Sequence, residues 1–259
     1  MRTRLCFIVL LALCTLGVAS DSEARPWPRP AGGPSASGDP EVVFTFDDGP
    51  HEKHTAAVMD ALDAHGVKAI FFWTGLRVLS KTAGHQERLD LVQRAVDSGH
   101  LVGNHTISHA KLCVVSKQEA AKEIDDNAAL FAKLSGLPLT LLRVPYGARC
   151  KRLERMLDER GLSHMHWDID PQEFRSRSAD HAVAYVTKRL KRLKDGERAI
   201  LLMHDTQPAT AKSIPRILEW IRDENLRRAE NGRRPLRIIS GSDLVAEHQP
   251  APLLSWTTE

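Results

Sequence analysis

Two aspartates and two histidines are the residues of this chain best suited to chemistry by type and spacing. Asp47 and Asp48 end an apolar run, and His105 and His109, four residues apart, follow another. One carboxylate and two imidazoles form a ligand shell for a divalent metal that keeps open coordination positions. The remaining carboxylate is then available as a base. Together these residues predict a metal site that supports hydrolysis.

The order of apolar and helical patterns defines the elements that must hold these residues. One helix has clear boundaries, because Ser116 and Glu119 form a capping box and Gly136 follows the last turn. The alternation of strands and helices predicts an α/β fold with a parallel sheet, and about seven units favour a barrel over an open sheet. Strands are predicted at 41–46, 68–73, 100–104, 139–143, 162–168, 198–203 and 235–239.

Further polar residues follow the later strands at their carboxyl ends. Arg143 closes the fourth strand, Asp168 and Asp170 follow the fifth, and His204 follows the sixth. The carboxyl ends of barrel strands share one face, and this is the face where barrel enzymes carry their sites. We therefore expect these residues to converge with the aspartates and histidines above.

The composition is that of a soluble domain without a surface for nucleic acid. The 259 residues carry a net charge of +3, and 27 % of them are charged. Basic clusters such as residues 188–192 lack interleaved aromatic residues, which favours a solvated helix face over a nucleic-acid surface. No nucleic-acid partner is expected, and no feature of the sequence indicates the oligomeric state.

The first 20 residues have the pattern of a secretory signal peptide. Arg2 and Arg4 precede an apolar stretch over residues 5–18, and small residues up to Ser20 offer a cleavage site. The stretch is short for a membrane span. We expect a secreted or periplasmic protein with no stable span after cleavage near Ser20, and an uncleaved anchor is the alternative. Residues 21–40 are predicted to be a flexible linker rich in Pro, Gly and Ser, and residues 248–259 an irregular tail.

Cysteine usage agrees with export. Cys6 and Cys14 lie in the signal segment, so the mature chain keeps Cys113 and Cys150. In an oxidising compartment these two residues are candidates for a disulfide, and two buried free thiols are the alternative.

Four motifs resemble those of the NodB-homology polysaccharide deacetylases, carbohydrate esterase family 4. They occur in the order of that family, and the resemblance extends from Glu41 to about Val245. It implies a single catalytic domain, placed at residues 41–247, with the distorted (β/α)7 barrel of the family. The motifs are TFDDGP at 45–50, HTISH at 105–109, RVPYG at 143–147 and LLMH at 201–204.

The resemblance also implies roles for the residues at the first three motifs. Asp48, His105 and His109 correspond to the metal ligands, with zinc as the usual ion and cobalt, nickel or manganese as alternatives. Asp47 corresponds to the general base that activates water, and Arg143 to the residue that pairs with it. Such an ion lowers the pKa of water from about 15.7 toward about 7.

The remaining roles implied by the resemblance concern the leaving group and the oxyanion. The backbone N–H of Tyr146, in a tight loop with Pro145, corresponds to a donor that stabilises the oxyanion, typically worth about 2.7–4 kcal/mol. His204 corresponds to the general acid that protonates the leaving nitrogen, which amide hydrolysis needs because an amide anion leaves poorly.

The chain departs from the family in the fourth motif, where an Asp-Trp pair is common. Here Trp167 and Asp168 begin the motif and Glu173 and Phe174 end it. In this alignment Glu173 replaces the aspartate that tunes the catalytic histidine, and Phe174 joins Trp167 and Pro145 in lining the substrate site. If Glu173 does not tune that histidine, Asp168 or Asp170 is the next candidate.

The resemblance implies metal-dependent hydrolysis of N-acetyl groups on an acetylated glycan that contains N-acetylglucosamine, with release of acetate. Peptidoglycan is the expected polymer, and chitin oligomers come next. An O-acetyl xylan esterase and a non-catalytic glycan-binding relative are the alternatives. A two-histidine iron oxygenase is disfavoured, because that chemistry needs neither Asp47 nor the Arg143 loop and its usual scaffold is all-β.

Overall fold

The computed structural model of the chain describes residues 25–26 and 32–248. The predicted signal peptide, most of residues 21–31 and the predicted tail after residue 248 lie outside the described residues. Among the described helices, none combines the length and the apolar character needed to cross a bilayer.

A curled parallel sheet of seven strands forms the centre of the molecule and confirms the predicted α/β barrel-like fold. The strands are β1 (Arg25–Pro26), β2 (Glu41–Asp47), β3 (Ile70–Trp73), β4 (Leu101–Asn104), β5 (Leu141–Leu142), β6 (Ala148–Arg149), β7 (Ser163–His164), β8 (Arg198–His204) and β9 (Arg237–Ile238). Those of the sheet pair in the order β7-β5-β4-β3-β2-β8, and β9 pairs in parallel with the start of β2. A separate pair of short antiparallel strands joins β1 to β6.

Helices follow most of the parallel strands and cover the outside of the sheet. The predicted N-cap of one helix is present, because the Ser116 side chain accepts a hydrogen bond from the backbone N–H of Glu119. Gly136 ends the same helix with a positive φ of 73°, a conformation that glycine adopts without strain. The helices are α1 (His54–Ala64), α2 (Gly75–Leu79), α3 (His85–Asp97), α4 (Lys117–Ser135), α5 (Lys151–Asp158), α6 (Glu173–Ser176), α7 (Ala179–Leu190), α8 (Pro208–Glu230) and α9 (Gly241–His248).

The two strands on one side of the sheet are shorter than the sequence predicts. Residues 139–143 and 162–168 contribute only the two-residue strands β5 and β7. After β7 the chain leaves β5 and crosses to the opposite edge of the sheet, where Ile169 forms a single parallel bridge with Leu201 of β8. The segment from β7 to Ile169 thus contacts both edges of the curled sheet. Because it is shared between the two edges, it pairs with β5 and with β8 over only a few residues each.

The alternation of side chains along β2 determines what enters the interior of the curl. All seven residues of β2 are buried, as expected for a parallel strand that is covered on both faces. Val42, Phe44 and Phe46 pack with the helices outside the sheet. Val43 belongs to the inner cluster, so Asp47, four residues later, is directed to the inner face at the carboxyl end of the strand.

The last part of the predicted linker lies against the barrel. The backbone N–H of Gly32 donates to the Asp168 carboxylate at 2.9 Å, and that of Ser35 donates to the carbonyl of Gly196 at 2.9 Å. Pro34 also forms an isolated antiparallel bridge with Glu197. Within the predicted linker, residues 32–40 thus lie against the barrel, because backbone groups of this segment pair with Asp168 and Gly196.

Candidate active site

Three of the predicted site residues form a cluster suited to a divalent metal. Oδ1 of Asp48 lies 3.4 Å from Nε2 of His105 and 3.4 Å from Nε2 of His109. One ligand atom from each residue lies within 4.8 Å of the others. A carboxylate and two imidazoles are donors that Zn²⁺ and similar ions accept, and three protein ligands leave a position open. The residues present therefore fit a bound divalent ion.

Hydrogen bonds outside the cluster orient its two histidines. Nδ1 of His105 lies 2.7 Å from the carbonyl oxygen of Arg143, so it carries the proton and leaves Nε2 free as a ligand atom. The backbone N–H of His109 donates to Oγ1 of Thr106 at 3.0 Å, and Asn104 accepts from the N–H of Thr106 at 2.9 Å. The turn after β4 thus presents both imidazoles to Asp48.

Asp47 lies beside the three residues of the metal cluster and is paired with a buried arginine. Nη1 of Arg143 donates to Oδ1 of Asp47 at 2.8 Å and to Oγ1 of Thr45 at 2.7 Å. The guanidinium is fully buried and stacks on Phe72 at 4.4 Å. The other oxygen of Asp47, Oδ2, lies 3.6 Å from Nε2 of His105 and faces the metal cluster.

His204 and Glu173 form a second polar pair in the site. Oε1 of Glu173 lies 3.0 Å from Nδ1 of His204 and accepts from the backbone N–H of His204 at 2.7 Å. Thr210 donates to the same oxygen at 3.1 Å. The structure therefore places Glu173 where the sequence alignment requires it. The Asp168 carboxylate, one of the alternatives, accepts from the backbone N–H of Gly32 and of Ile200.

The aromatic residues predicted to line the site also lie there. The exposed Tyr146 sits on the turn Pro145–Gly147 with its ring 4.6 Å from that of His109. The ring of Phe174 meets His204 edge-on at 4.7 Å. Trp167 packs beneath the turn, so closely that a Cβ on Gly147 would lie 2.5 Å from its ring.

The predicted cysteine pair lies outside these contacts. Cys113 and Cys150 are brought together as a disulfide with their Cα atoms 6.0 Å apart. Cys113 lies in the loop that follows His109, and Cys150 directly precedes α5. The bridge therefore links the two loops that carry His109 and Tyr146.

The charges of the site shift several pKa values in ways that suit a metal and an acid. Burial alone raises the pKa of Asp48, but its hydrogen bond and attraction to His105 outweigh burial and hold the carboxyl well below its usual range. Burial alone lowers the pKa of His204, whereas the hydrogen bond and negative charge of Glu173 raise it to about 9. Asp48 is thus an anion that can bind a cation, and His204 holds a proton near neutral pH.

The backbone at the site has features that sequence patterns did not predict. Among the residues other than glycine with positive φ values are four in the loops around the metal cluster: Asp48 (75°), Thr106 (69°), His109 (62°) and Tyr146 (63°). Such conformations cost of order 1–3 kcal/mol each and cluster at functional sites. They turn the chain sharply after β2, β4 and β5, which aims the ligand and donor groups at one point. No local sequence signal marks them, because no glycine is present at these positions.

Asp205 is a further residue of this region to which the sequence analysis assigned no role. Its Oδ2 accepts from Oγ1 of Thr55 at 2.6 Å and from Nε1 of Trp73 at 2.9 Å, while Oδ1 is buried without a partner among the described residues. Burial raises its pKa to about 7. A Cβ on Gly49 would lie 2.2 Å from this carboxylate. Asp205 therefore supports the loop that carries Asp48. In the sequence, its position directly after His204 is the only feature that marks it.

A family model described as polysaccharide deacetylase matches residues 35–165. The matched region runs from the start of the barrel to the end of β7 and includes the metal cluster, Asp47 and Arg143. His204 and Glu173 lie beyond it.

Individual proteins with similar sequence or structure are named as deacetylases or esterases of carbohydrates. The peptidoglycan-N-acetylglucosamine deacetylase PgdA of Listeria monocytogenes is 35 % identical over 193 residues, which cover 74 % of this chain and 38 % of that protein. The chitooligosaccharide deacetylase of Sinorhizobium fredii is 31 % identical over 175 residues, covering 67 % of this chain and 76 % of that protein. A family 4 carbohydrate esterase from Streptomyces lividans, solved in complex with acetate, superposes with a TM-score of 0.62 at 29 % identity, covering 78 % of this chain and 92 % of that one. The chain thus spans well under half the length of the Listeria protein.

Proposed function

The chain belongs to the polysaccharide deacetylase family, carbohydrate esterase family 4, and from this premise we propose that its site hydrolyses N-acetyl groups of a glycan containing N-acetylglucosamine. The observation that carries the proposal is the convergence of a metal cluster, a base and an acid on one face of the barrel. The reaction adds water across the amide bond and gives acetate and a free amine on the sugar.

The metal cluster would hold the ion on which this hydrolysis depends. Asp48, His105 and His109 supply one anionic and two neutral ligand atoms. A divalent ion held there, zinc by our proposal, supplies Lewis-acid charge that polarises the amide carbonyl and lowers the pKa of water. The hydrogen bond from His105 to the Arg143 carbonyl keeps the ligand nitrogen unprotonated and correctly aimed.

Asp47 is the proposed base. Arg143 holds Oδ1 of Asp47 at 2.8 Å and leaves Oδ2 directed toward the metal cluster. A carboxylate in that position can take a proton from the attacking water as the oxygen bonds to the amide carbon. The hydrogen bond from the buried Arg143 holds the carboxylate in this orientation.

His204 is the proposed acid, and Tyr146 contributes to the oxyanion site. When the carbon–nitrogen bond breaks, the nitrogen takes a proton from Nε2 of His204, whose Nδ1 is held by Glu173. The negative charge that develops on the carbonyl oxygen would be stabilised by the backbone N–H of Tyr146, a residue of the turn at 145–147 whose ring contacts that of His109.

The names of the relatives support the proposed substrate class. Peptidoglycan is the proposed polymer, since the Listeria relative is named for it, and chitin oligomers are the second choice. Release of acetate from peptidoglycan, chitin oligomers and acetylated xylan by the purified protein tests the proposal. Acetate from the first two supports it. Acetate from xylan alone would assign an O-acetyl esterase instead, and no acetate from any glycan would favour a non-catalytic relative.

We also propose export, with cleavage near Ser20. The support is the basic and apolar pattern of the first 20 residues. Amino-terminal sequencing of the protein recovered from outside the cytoplasm should begin close to residue 21. An intact Met1 on the recovered protein would contradict cleavage and favour the uncleaved anchor.

A further inference from the structure

A groove beside the metal cluster takes no part in the steps described above. It encloses about 540 Å³, and Asp48 and His109 form part of its lining. The opposite wall is the segment between β3 and α3, from Thr74 to Ala83. A sugar whose acetamide lies at the metal cluster therefore has its neighbouring groups within reach of this wall.

Arg77 presents an unpaired charge in this groove. Its Nε donates to the backbone carbonyl of Asp48 at 3.1 Å, and its side chain is exposed. Within the part of the chain that the structure describes, no carboxylate lies within ion-pair distance of it. The hydrogen bond fixes the guanidinium beside a metal ligand and leaves Nη1 and Nη2 for a ligand in the groove.

Arg88, the other arginine of the groove, has a different role. The side chain of Arg88 is buried. Its guanidinium donates five hydrogen bonds, four to groups of the wall and one to Glu52, whose carboxylate neutralises the charge of Arg88. The acceptors are the carbonyls of Arg77, Ser80 and Ala83, Oγ1 of Thr82 and Oε2 of Glu52, at 2.7–3.2 Å. Arg88 therefore holds the wall in one conformation, so that Arg77 is positioned before any ligand binds.

We propose, on the basis of the function proposed above, that Arg77 binds a carboxylate carried by the glycan next to the reacting acetamide. A planar guanidinium with two free nitrogens matches a carboxylate in a bidentate arrangement, and a neutral sugar does not need such a charge. In a peptidoglycan strand the carboxylate would come from the lactyl ether of muramic acid or from the attached peptide. Arg77 would thus make the site selective for acidic over neutral glycans.

The test compares matched substrates and matched variants. The substrates are peptide-free strands of alternating N-acetylglucosamine and N-acetylmuramic acid, the same strands with each carboxylate converted to its methyl amide, and strands that retain their peptides. The variants are Arg77→Gln, Arg77→Lys and, as a control on the outer face of α8, Arg222→Gln. The quantity compared is the ratio of kcat/KM for the acidic strand to that for its amide, so a general loss of activity cancels.

We expect Arg77→Gln to lower this ratio by about 10- to 100-fold, mainly through KM. Arg77→Lys should restore part of the ratio, and Arg222→Gln should match the unmodified protein. Selectivity for free lactyl carboxylates identifies the lactyl group as the ligand, and selectivity that appears only with peptide-bearing strands identifies the peptide.

A ratio that is unchanged in Arg77→Gln both for peptide-free strands and for peptide-bearing strands compared with their methyl amides overturns the proposal and leaves the deacetylase function intact. Lys111 provides a second check, because it does not line the groove and its Nζ lies 5.3 Å from the ring of Tyr146. If Lys111→Gln lowers the ratio and Arg77→Gln does not, the carboxylate binds outside the groove, and the proposal is likewise overturned.

If no strand yields acetate, the proposed function fails, and calorimetric binding of the acidic strand and its amide still decides the role of Arg77. Equal binding of both by the unmodified protein would then refute it.

Discussion

Asp47 and Asp48 are neighbours in the chain, but their side chains lie in different surroundings. Asp47 is buried and bonded to Arg143, whereas Asp48 turns away through a positive φ and approaches His105 and His109. Each of the two adjacent carboxylates therefore has its own cationic or polar partners. This separation of environments implies separate roles.

The first prediction tests that separation. Asp48→Ala should lose both bound metal and activity, because it removes the anionic ligand. Asp47→Asn should keep the metal, while kcat falls by about 10²–10⁴-fold, the usual effect of losing a general base. Plasma mass spectrometry of the purified variants measures the metal content. An Asp47→Asn protein that contains no metal would contradict the assignment of Asp47 as base.

The second prediction concerns the charge pair of Glu173 and His204. A histidine with a pKa of about 9 stays protonated well above its ordinary value of about 6.5, so it can donate a proton at higher pH. Glu173→Gln removes the negative charge, and the alkaline limb of the kcat profile should move to lower pH. Glu173→Asp keeps the charge and should retain activity within about an order of magnitude.

A pH–rate profile for each Glu173 variant provides the measurement. A Glu173→Gln profile that coincides with that of the unmodified protein would show that this residue does not tune His204.

The raised pKa of His204 also affects stability. A histidine with a raised pKa stabilises the fold below about pH 6.5 and loses that contribution as the pH rises through about 9.

At the scale of elements, the site depends on loops that follow short strands. The turn after β4 carries His109, and the turn after β5 carries Tyr146. β5 has only two residues, so its ladder contributes little to holding the turn that follows it. The Cys113–Cys150 bridge ties the two loops together and supplies a constraint that the strands lack.

The third prediction tests this bridge. The unreduced mature protein, unfolded in denaturant, should show no free thiol on titration. Replacing both cysteines by serine should lower the free energy of unfolding by about 2–4 kcal/mol, because the reduced chain gains conformational freedom when unfolded. Two titratable thiols in the exported protein would mean that the pair is not oxidised there.

At the scale of the whole molecule, the barrel is completed by segments distant in sequence. Ile169, which follows β7 in the chain, forms a bridge with Leu201 of β8. Residues 32–40 lie against the segment that leads into β8. A Cβ on Gly32 would lie 2.5 Å from the carbonyl oxygen of Arg198, which shows how closely this segment approaches the barrel. The amino-terminal segment is thus part of the folded unit.

The fourth prediction compares two truncated proteins. One begins at residue 32 and the other at residue 41, so they differ only in the segment that pairs with residues 196–197 and with Asp168. The shorter protein should be less stable by about 2 kcal/mol or more, since it loses several hydrogen bonds worth about 0.5–1.5 kcal/mol each. Urea unfolding measures the difference. Equal midpoints would show that residues 32–40 add nothing to the fold.

The sequence alone determined the parts of this protein that depend on local order. The long buried strands β2 and β8, the helix that begins after Ser116 and the residues of the metal cluster were all predictable. Apolar runs, a capping box and the spacing of His105 and His109 are properties of neighbouring residues, so they can be recognised without a fold.

Tertiary structure alone decided the features that depend on contacts between distant segments. It shortened β5 and β7 because one segment must reach both edges of the sheet, and it brought Glu173 to His204. It also enclosed Asp205 beneath the loop of Asp48. A carboxylate has the same local sequence signal whether it tunes a histidine, supports a loop or faces solvent. Only the closure of the barrel assigns each one its neighbours, and with them its charge state and role.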